Sequence, residues 1–185
     1  MLKKNVFAGF SLWLVVASAA AQDITVNFDA TIQEPTCNVY IAASPDGSGA
    51  GPSAEIKFNE VQLDKILLND NSARQTFSLK MDRCDSAITR LVTTIKTPTV
   101  LMDGKAIGNS ESGTGSAQHV GVTLARENDP DARFTLNSTD DSQRLVWSST
   151  EMAALSVVLR ATLVAETGAT LGTYSGTATF ETTYE

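Results

Sequence analysis

Histidine is nearly absent from this 185-residue chain, which contains only His119. A catalytic triad needs a base beside a nucleophile and an orienting group, and zinc or copper sites need several histidine or cysteine ligands. No glycine-rich stretch joins a predicted strand to a predicted helix, so a phosphate-binding loop has no support. We therefore expect no enzyme, no catalytic residues, no metal site and no cofactor, and we interpret His119 as a surface or loop-edge residue.

Positive charge is also in short supply. The chain has 14 lysines and arginines against 21 acidic residues, and its net charge is −7. Phosphate backbones repel such a surface, so we expect no nucleic-acid partner.

Long apolar runs are missing except near the N-terminus. Lysines at 3 and 4 precede an apolar run over about 6–17, and three alanines at 19–21 offer a cleavage site before Gln22. The run is short for a membrane span, which needs about 20 residues. Residues 1–21 are therefore predicted to be a signal peptide that is removed, with an uncleaved anchor as the alternative.

Cysteine occurs twice, as Cys37 and Cys84. An even number in an exported chain predicts a disulfide, although two free buried thiols are the alternative. We expect the bond to tie two early strands together. In the chain-entropy model, closing a loop of this span stabilises the fold by about 4 kcal/mol.

Alternation of apolar and polar residues recurs along the rest of the chain. It is visible in segments 23–32, 54–63, 75–84, 90–97, 119–126 and 153–166. Many of these segments are rich in β-branched residues, and in 153–166 the pattern places Leu155, Val157, Leu159, Ala161 and Leu163 on one face. Polar loops such as 43–53 and 103–118 and an acidic turn at 127–134 separate the segments. Short strands with turn signals between them predict an all-β sandwich without a long helix, an internal repeat or a domain linker.

The chain ends with the alternating stretch GTYSGTATFETTYE, residues 172–185. Period two with tyrosine, phenylalanine and threonine predicts a β-strand. No turn and no partner strand follow it in the sequence, so this strand would stop at the edge of its own sheet. The residues on one side of it are Tyr174, Gly176, Ala178, Phe180, Thr182 and Tyr184.

Taken in order, these features resemble the pilin subunits of the chaperone–usher pathway, the type 1 and P fimbria group of Gram-negative bacteria. The matching features are a signal peptide, the segment DITVNFDATIQEPTC, a second cysteine that ends FSLKMDRC, and the Gly-Val strand in SAQHVGVTLARENDP. The tail adds Gly172, fourteenth from the end, and Tyr184 as the penultimate residue. The resemblance covers nearly the whole chain after the signal peptide.

The resemblance implies an incomplete immunoglobulin-like β-sandwich that lacks its last strand and is completed by a donated strand. Residues 22–33 would be an N-terminal donor-strand extension merging into the first strand, and 34–185 the pilin domain. The tail from Gly172 would border the acceptor groove, and Glu185 would anchor the chain to a chaperone. The donor side chains would be Ile24, Val26, Phe28, Ala30 and Ile32, of which Ala30 stands where the family commonly has glycine.

The implied function is that of a structural subunit of a fimbria, polymerised by donor-strand exchange and supporting adhesion. Its partners would be a periplasmic pilus chaperone, an outer-membrane usher and neighbouring pilin subunits. It would be exported through the periplasm to an extracellular fimbrium. Shaft and adaptor roles both stay open, and the short extension resembles adaptor subunits. The alternatives are an exported monomeric binding module or adhesin with a complete fold, and an exported β-sandwich enzyme, which would need a ligand cluster that the sequence lacks.

Overall fold

The computed structural model describes residues 37–184. The predicted signal peptide, the donor-strand extension and the anchor Glu185 lie outside the described residues.

Eleven β-strands and two short helices make up the described chain. The strands are β1 Asn38–Ala42, β2 Ala50–Gly51, β3 Arg74–Asp82, β4 Leu91–Lys96, β5 Val100–Leu101, β6 Ala106–Gly108, β7 Val120–Arg126, β8 Asp129–Arg133, β9 Leu145–Val146, β10 Ser156–Ala165 and β11 Thr179–Tyr184. The helices are α1 Leu63–Leu67 and α2 Ser149–Ala154, with a 3-10 turn at Asn71–Ala73.

The strands form two sheets in which the paired strands are antiparallel. The larger sheet has the order β2-β1-β3-β10-β7-β6-β5, with β8 paired to β7. The smaller sheet has the order β11-β4-β9. One apolar core joins them, with Leu79 and Leu159 from the larger sheet and Leu91 and Ile95 from the smaller. Burial of such side chains stabilises the fold by about 25 cal/mol per Å².

Strand β10 shows how the alternating pattern places the core. Val157, Leu159, Ala161 and Leu163 are buried, and the residues between them are half-buried. The sequence pattern also put Leu155 on this face, which is wrong. Leu155 ends α2 in the left-handed conformation, with φ of 53°, and is 47% exposed. The helix begins at a capping box in which Ser148 and Glu151 bond to each other's backbone N–H.

Cys37 and Cys84 are joined by a disulfide. Cys37 lies just before β1, and Cys84 lies just after β3. These strands pair with each other, with Asn38 opposite Asp82, so the bond closes the end of this strand pair. The structure thus joins the two early strands that the sequence led us to expect.

Two local expectations differ from the structure. Segment 127–134 was expected to be an acidic turn, but it contains β8, which pairs with the end of β7 across a register shift. Segment 54–63 was expected to be a strand, but its residues 54–61 belong to no sheet in the described chain, and α1 begins at Leu63.

Candidate acceptor groove

A groove of about 710 Å³ lies beside the smaller sheet. Its floor is the inner face of the larger sheet, where β3, β7 and β10 contribute apolar side chains. Its two walls are segment 54–61 and the tail segment 170–180. The floor includes Phe77, Val120, Val122, Leu124, Ala161 and Leu163.

The first wall is an extended segment without a strand partner. Ala54, Ile56 and Phe58 are half-buried, while Glu55 and Lys57 between them are exposed. Ile56 and Phe58 pack against the core. In the described part of the chain, the backbone of 54–61 makes no hydrogen bond to another segment. Apolar contact with the core therefore supports this wall, and its backbone N–H and C=O groups have no backbone partner within residues 37–184.

The second wall changes partner along its length. Its first part bonds to the loop before β7: Thr173 donates its N–H to Gly115 O at 2.8 Å, and Ala117 donates its N–H to Thr173 O at 2.9 Å. Its last part is β11, which pairs with β4. Between them, 176–178 have no backbone hydrogen bond to another described residue.

The expected single strand over 172–185 is thus only partly present, because the described strand covers Thr179–Tyr184. The first half of the tail pairs with a loop that adjoins the larger sheet, while the second half pairs with the smaller sheet. Gly172 allows the close approach to the loop. Its φ is +153°, and a Cβ there would lie 2.4 Å from Gly115 O and 2.5 Å from Ala117 N.

The tail residues singled out by the sequence occupy different environments. Tyr174, Ala178 and Phe180 line the groove and are half-buried, and Gly172 and Gly176 line it at exposed positions. Thr182 and Tyr184 do not line it. Tyr184 is 39% exposed, whereas Thr182 is half-buried and hydrogen bonded.

Phe180 and Thr182 tie the tail to the core. The Phe180 ring meets Phe77 edge to face, with centroids 5.9 Å apart. The Thr182 hydroxyl lies 2.8 Å from the Thr93 hydroxyl, which in turn accepts the indole N–H of Trp147 at 3.0 Å. These contacts fix β11 beside the groove while its outer edge stays without a strand partner among the described residues.

Tyr174 lies across the groove at the level of Gly176. Its hydroxyl donates a hydrogen bond to Ile107 O at 2.9 Å. Burial raises the pKa of Tyr174 well above its usual range, so the phenol keeps its proton for this bond. A Cβ on Gly176 would lie 2.4 Å from the Tyr174 oxygen, so the tyrosine fills the space that a side chain there would need.

Sequence reasoning found the tail but missed half of the groove. The alternation of 54–58 was visible, yet it predicted an ordinary paired strand. The bond between Tyr174 and Ile107 joins residues 67 positions apart, and no local pattern indicates it.

The arrangement is suited to accepting an extended strand. Apolar floor residues face the groove, and the stretches 54–61 and 176–178 of its walls have no backbone partner within residues 37–184. A strand laid there could pair with one of these stretches and cover the half-buried apolar side chains of the walls. No group of three histidine, cysteine or acidic residues within 37–184 is placed to hold a metal ion. His119 lies just before β7, with its side chain half exposed and Nδ1 3.9 Å from Glu166 Oε2.

Residues 26–185 match the family model described as "Fimbrial protein". The chain belongs to the fimbrial protein family. This fimbrial subunit is 26% identical over 143 residues to the "Uncharacterized fimbrial-like protein YadM" of Escherichia coli strain K12, across 75% of this chain and 73% of that protein. It also resembles the crystal structure of the P pilus rod subunit PapA, with a TM-score of 0.55 and 16% identity, over 87% of this chain and all of that one.

These matches confirm two expectations from the sequence. The fold is an all-β sandwich of the incomplete immunoglobulin-like type. The protein is a structural fimbrial subunit, whose neighbours are other subunits of an extracellular fimbrium. Within the described chain, no helix is long and apolar enough to span a membrane.

Proposed function

We propose that this fimbrial subunit polymerises by strand donation. The groove accepts an N-terminal extension, residues 22–33, from a neighbouring subunit, and its own extension enters the next groove. Ile24, Val26, Phe28, Ala30 and Ile32 are the side chains that face the floor. Contacts of this kind run head to tail without closing, and they therefore build a fibre.

The observation that carries the proposal is an apolar groove whose wall stretches 54–61 and 176–178 have no backbone partner among the described residues. An edge that leaves N–H and C=O groups unpaired invites another strand. Half-buried groove side chains such as Phe58 and Phe180 gain about 25 cal/mol for each Å² of apolar surface that a donated strand covers. One inserted strand would pair with these backbone groups and also cover this apolar surface.

Before polymerisation, a periplasmic chaperone supplies the strand and binds the terminal carboxylate at Glu185, and an outer-membrane usher receives the complex. The same stretches 54–61 and 176–178 support this step, because a subunit that has not yet joined its neighbour has the same backbone groups to pair. Loss of the chaperone should then reduce the amount of folded subunit recovered.

The test uses the full chain with Val26→Asp and Phe28→Asp, so that its own extension cannot fill a groove. A synthetic peptide of residues 22–36 is added, and thermal unfolding is recorded. At 100 times its dissociation constant, a ligand of the folded state stabilises it by about 2.7 kcal/mol. For a chain of this size that is a rise in midpoint of roughly 5–10 °C.

Two controls make the result specific. The same peptide with both aspartates should leave the midpoint unchanged. In the chain, Ala178→Glu should abolish the rise because Ala178 lines the groove, while Thr177→Glu, at an exposed neighbouring position that also borders the groove, should reduce it far less. A chain that unfolds at a high midpoint and ignores the peptide would have a complete sandwich, and the proposal would fail.

A further inference from the structure

Three of the chain's seven arginines, Arg126, Arg133 and Arg144, line a second pocket. This arginine pocket has a volume of about 270 Å³ and shares no lining residue with the acceptor groove. We propose that it binds a sugar unit that carries a carboxylate. The proposal is independent of strand donation, because different residues line the two sites.

Arg126, at the end of β7, is held in place by only part of its guanidinium group. Its Nε and Nη2 atoms donate to the two carboxylate oxygens of Glu151 at 2.7 and 3.0 Å, and Nη2 also donates to Val146 O at 2.6 Å. The guanidinium carbon lies 5.8 Å from the ring centroid of Phe134. The Nη1 group has no acceptor among residues 37–184. A ligand can thus bind N–H donors whose orientation the fold has already set, which reduces the entropy lost on binding.

The other two arginines come from β8 and from the segment before β9. The Arg144 side chain is 20% exposed, with Nε donating to Asp141 Oδ1 at 2.8 Å and Nη1 to the Thr94 hydroxyl at 3.2 Å. Arg133 is half-buried, and its side chain makes no hydrogen bond or ion pair within the described chain. A planar guanidinium presents paired N–H donors that match the two oxygens of a carboxylate. Arg133 is therefore the residue that we expect to bind this group directly.

The carboxylates around the pocket leave part of its positive charge without a partner. Asp141 is the one acid among the lining residues, and Arg144 already binds it. Asp140 does not line the pocket, and one of its oxygens accepts both the N–H and the hydroxyl of Ser142. Arg133 has no ion pair within residues 37–184. A concave site with an excess of positive charge attracts anions, even on a chain whose net charge is −7.

The remaining lining groups suit a sugar better than a bare anion. Ser142 and Gln143 add neutral polar groups at exposed positions. Gln143 accepts from the Ser138 hydroxyl through Oε1, while its amide N–H groups have no acceptor in the described chain. Ala132 and Val146 add apolar surface. A sugar acid has hydroxyls for the amide and hydroxyl groups, C–H groups for the apolar surface and a carboxylate for the guanidinium groups. An aspartate or glutamate side chain of a protein partner lacks those hydroxyls.

The test uses the full chain with Val26→Asp and Phe28→Asp, in which the extension is disabled and the arginine pocket is unchanged. Glucuronate is titrated at constant ionic strength, and the dissociation constant is measured by NMR. Glucose, which has the same ring without the carboxylate, is the matched control. Acetate and N-acetylglutamate represent a bare carboxylate and a protein side chain. Glucuronate should bind saturably and about tenfold or more tightly than each of the other three.

A pair of variants locates the bound ligand. Arg133→Gln should weaken glucuronate binding by about tenfold or more, because it removes charged donors to the carboxylate. Arg83→Gln removes the same charge from a side chain that is 79% exposed and does not line the pocket, so affinity should stay unchanged. Circular dichroism checks that both variants are folded.

Several results would overturn the inference. Equal binding of glucose would show that the carboxylate is not recognised, and equal binding of acetate would show that the sugar is not. Tighter binding of N-acetylglutamate would assign the pocket to a protein carboxylate. Equal effects of the two arginine variants would place the ligand elsewhere, and no binding of glucuronate would remove the site altogether. None of these results bears on strand donation.

Discussion

Gly172→Ala tests whether the tail is clamped to the loop before β7. In the structure, a Cβ at this position would lie 2.4–2.5 Å from three backbone atoms of residues 115–117. Backbone atoms cannot rotate away as a flexible side chain can. The loop would have to move, and the two hydrogen bonds that join Thr173 to Gly115 and Ala117 would stretch or break.

The magnitude has two parts. A left-handed φ costs a residue with a Cβ about 1–2 kcal/mol. Overpacking against a fixed neighbour costs about 1–3 kcal/mol more. We therefore expect Gly172→Ala to lower the free energy of unfolding by about 3 kcal/mol, which corresponds to a fall in midpoint of roughly 6–12 °C.

Gly113→Ala is the matched control. Gly113 lies in the loop that the tail contacts, has a φ of +99°, and has nothing within 4 Å of the position that a Cβ would take. It should show only the cost of the backbone conformation. Urea unfolding of both variants gives the difference, which we expect to be at least about 1 kcal/mol. Equal losses in the two variants would refute the close contact between tail and loop.

Three further predictions concern the framework around the groove. Burial alone would raise the pKa of Glu151. Hydrogen bonds from Arg126 and from the backbone N–H of Ser148 outweigh burial and lower this pKa from its usual value of 4.5. These bonds to the ionised carboxylate therefore stabilise the fold above about pH 4.5, and this stabilisation is lost as the pH falls through the lowered pKa. Glu151→Gln should flatten the acid side of a curve of unfolding free energy against pH. An unchanged curve would contradict this. Thr93→Val leaves the indole N–H of the buried Trp147 without its acceptor and should lower the free energy of unfolding in urea by about 1–3 kcal/mol. An unchanged free energy of unfolding would show that this hydrogen bond does not stabilise the fold. Replacing Cys37 and Cys84 with serine removes a crosslink across 47 positions and should lower the free energy of unfolding by about 4 kcal/mol, measured by chemical unfolding without reductant. A decrease under about 1 kcal/mol would rule out the chain-entropy account.

Much of the fold could be predicted from the sequence because it depends on local pattern. Alternation in 75–84 and 153–166 identified β3 and β10. The buried face of β10 follows the period of two, whereas in β3 Ser78 is buried as well as Phe77 and Leu79. The two cysteines could pair only with each other within one chain, so their bond was a strong expectation. The start of β10 was missed because Leu155 has the apolar character of its neighbours, while the capping of α2 sets its left-handed conformation.

The groove was decided by tertiary structure. Segment 54–61 and the tail both show the alternation of an ordinary strand, because alternate side chains of any extended segment can cover a core, whether or not its backbone is paired. Which backbone groups find partners depends on segments far apart in the chain. Tyr174 meets Ile107, and Thr173 meets Gly115, across 67 and 58 positions of the chain, through hydrogen bonds that only the folded chain makes. The sequence by itself thus determined where β3, β4, β7 and β10 lie and which side chains of β10 face inward. The long-range pairing of the backbone decided which segments have no strand partner among residues 37–184, because each pairing joins residues far apart in the chain.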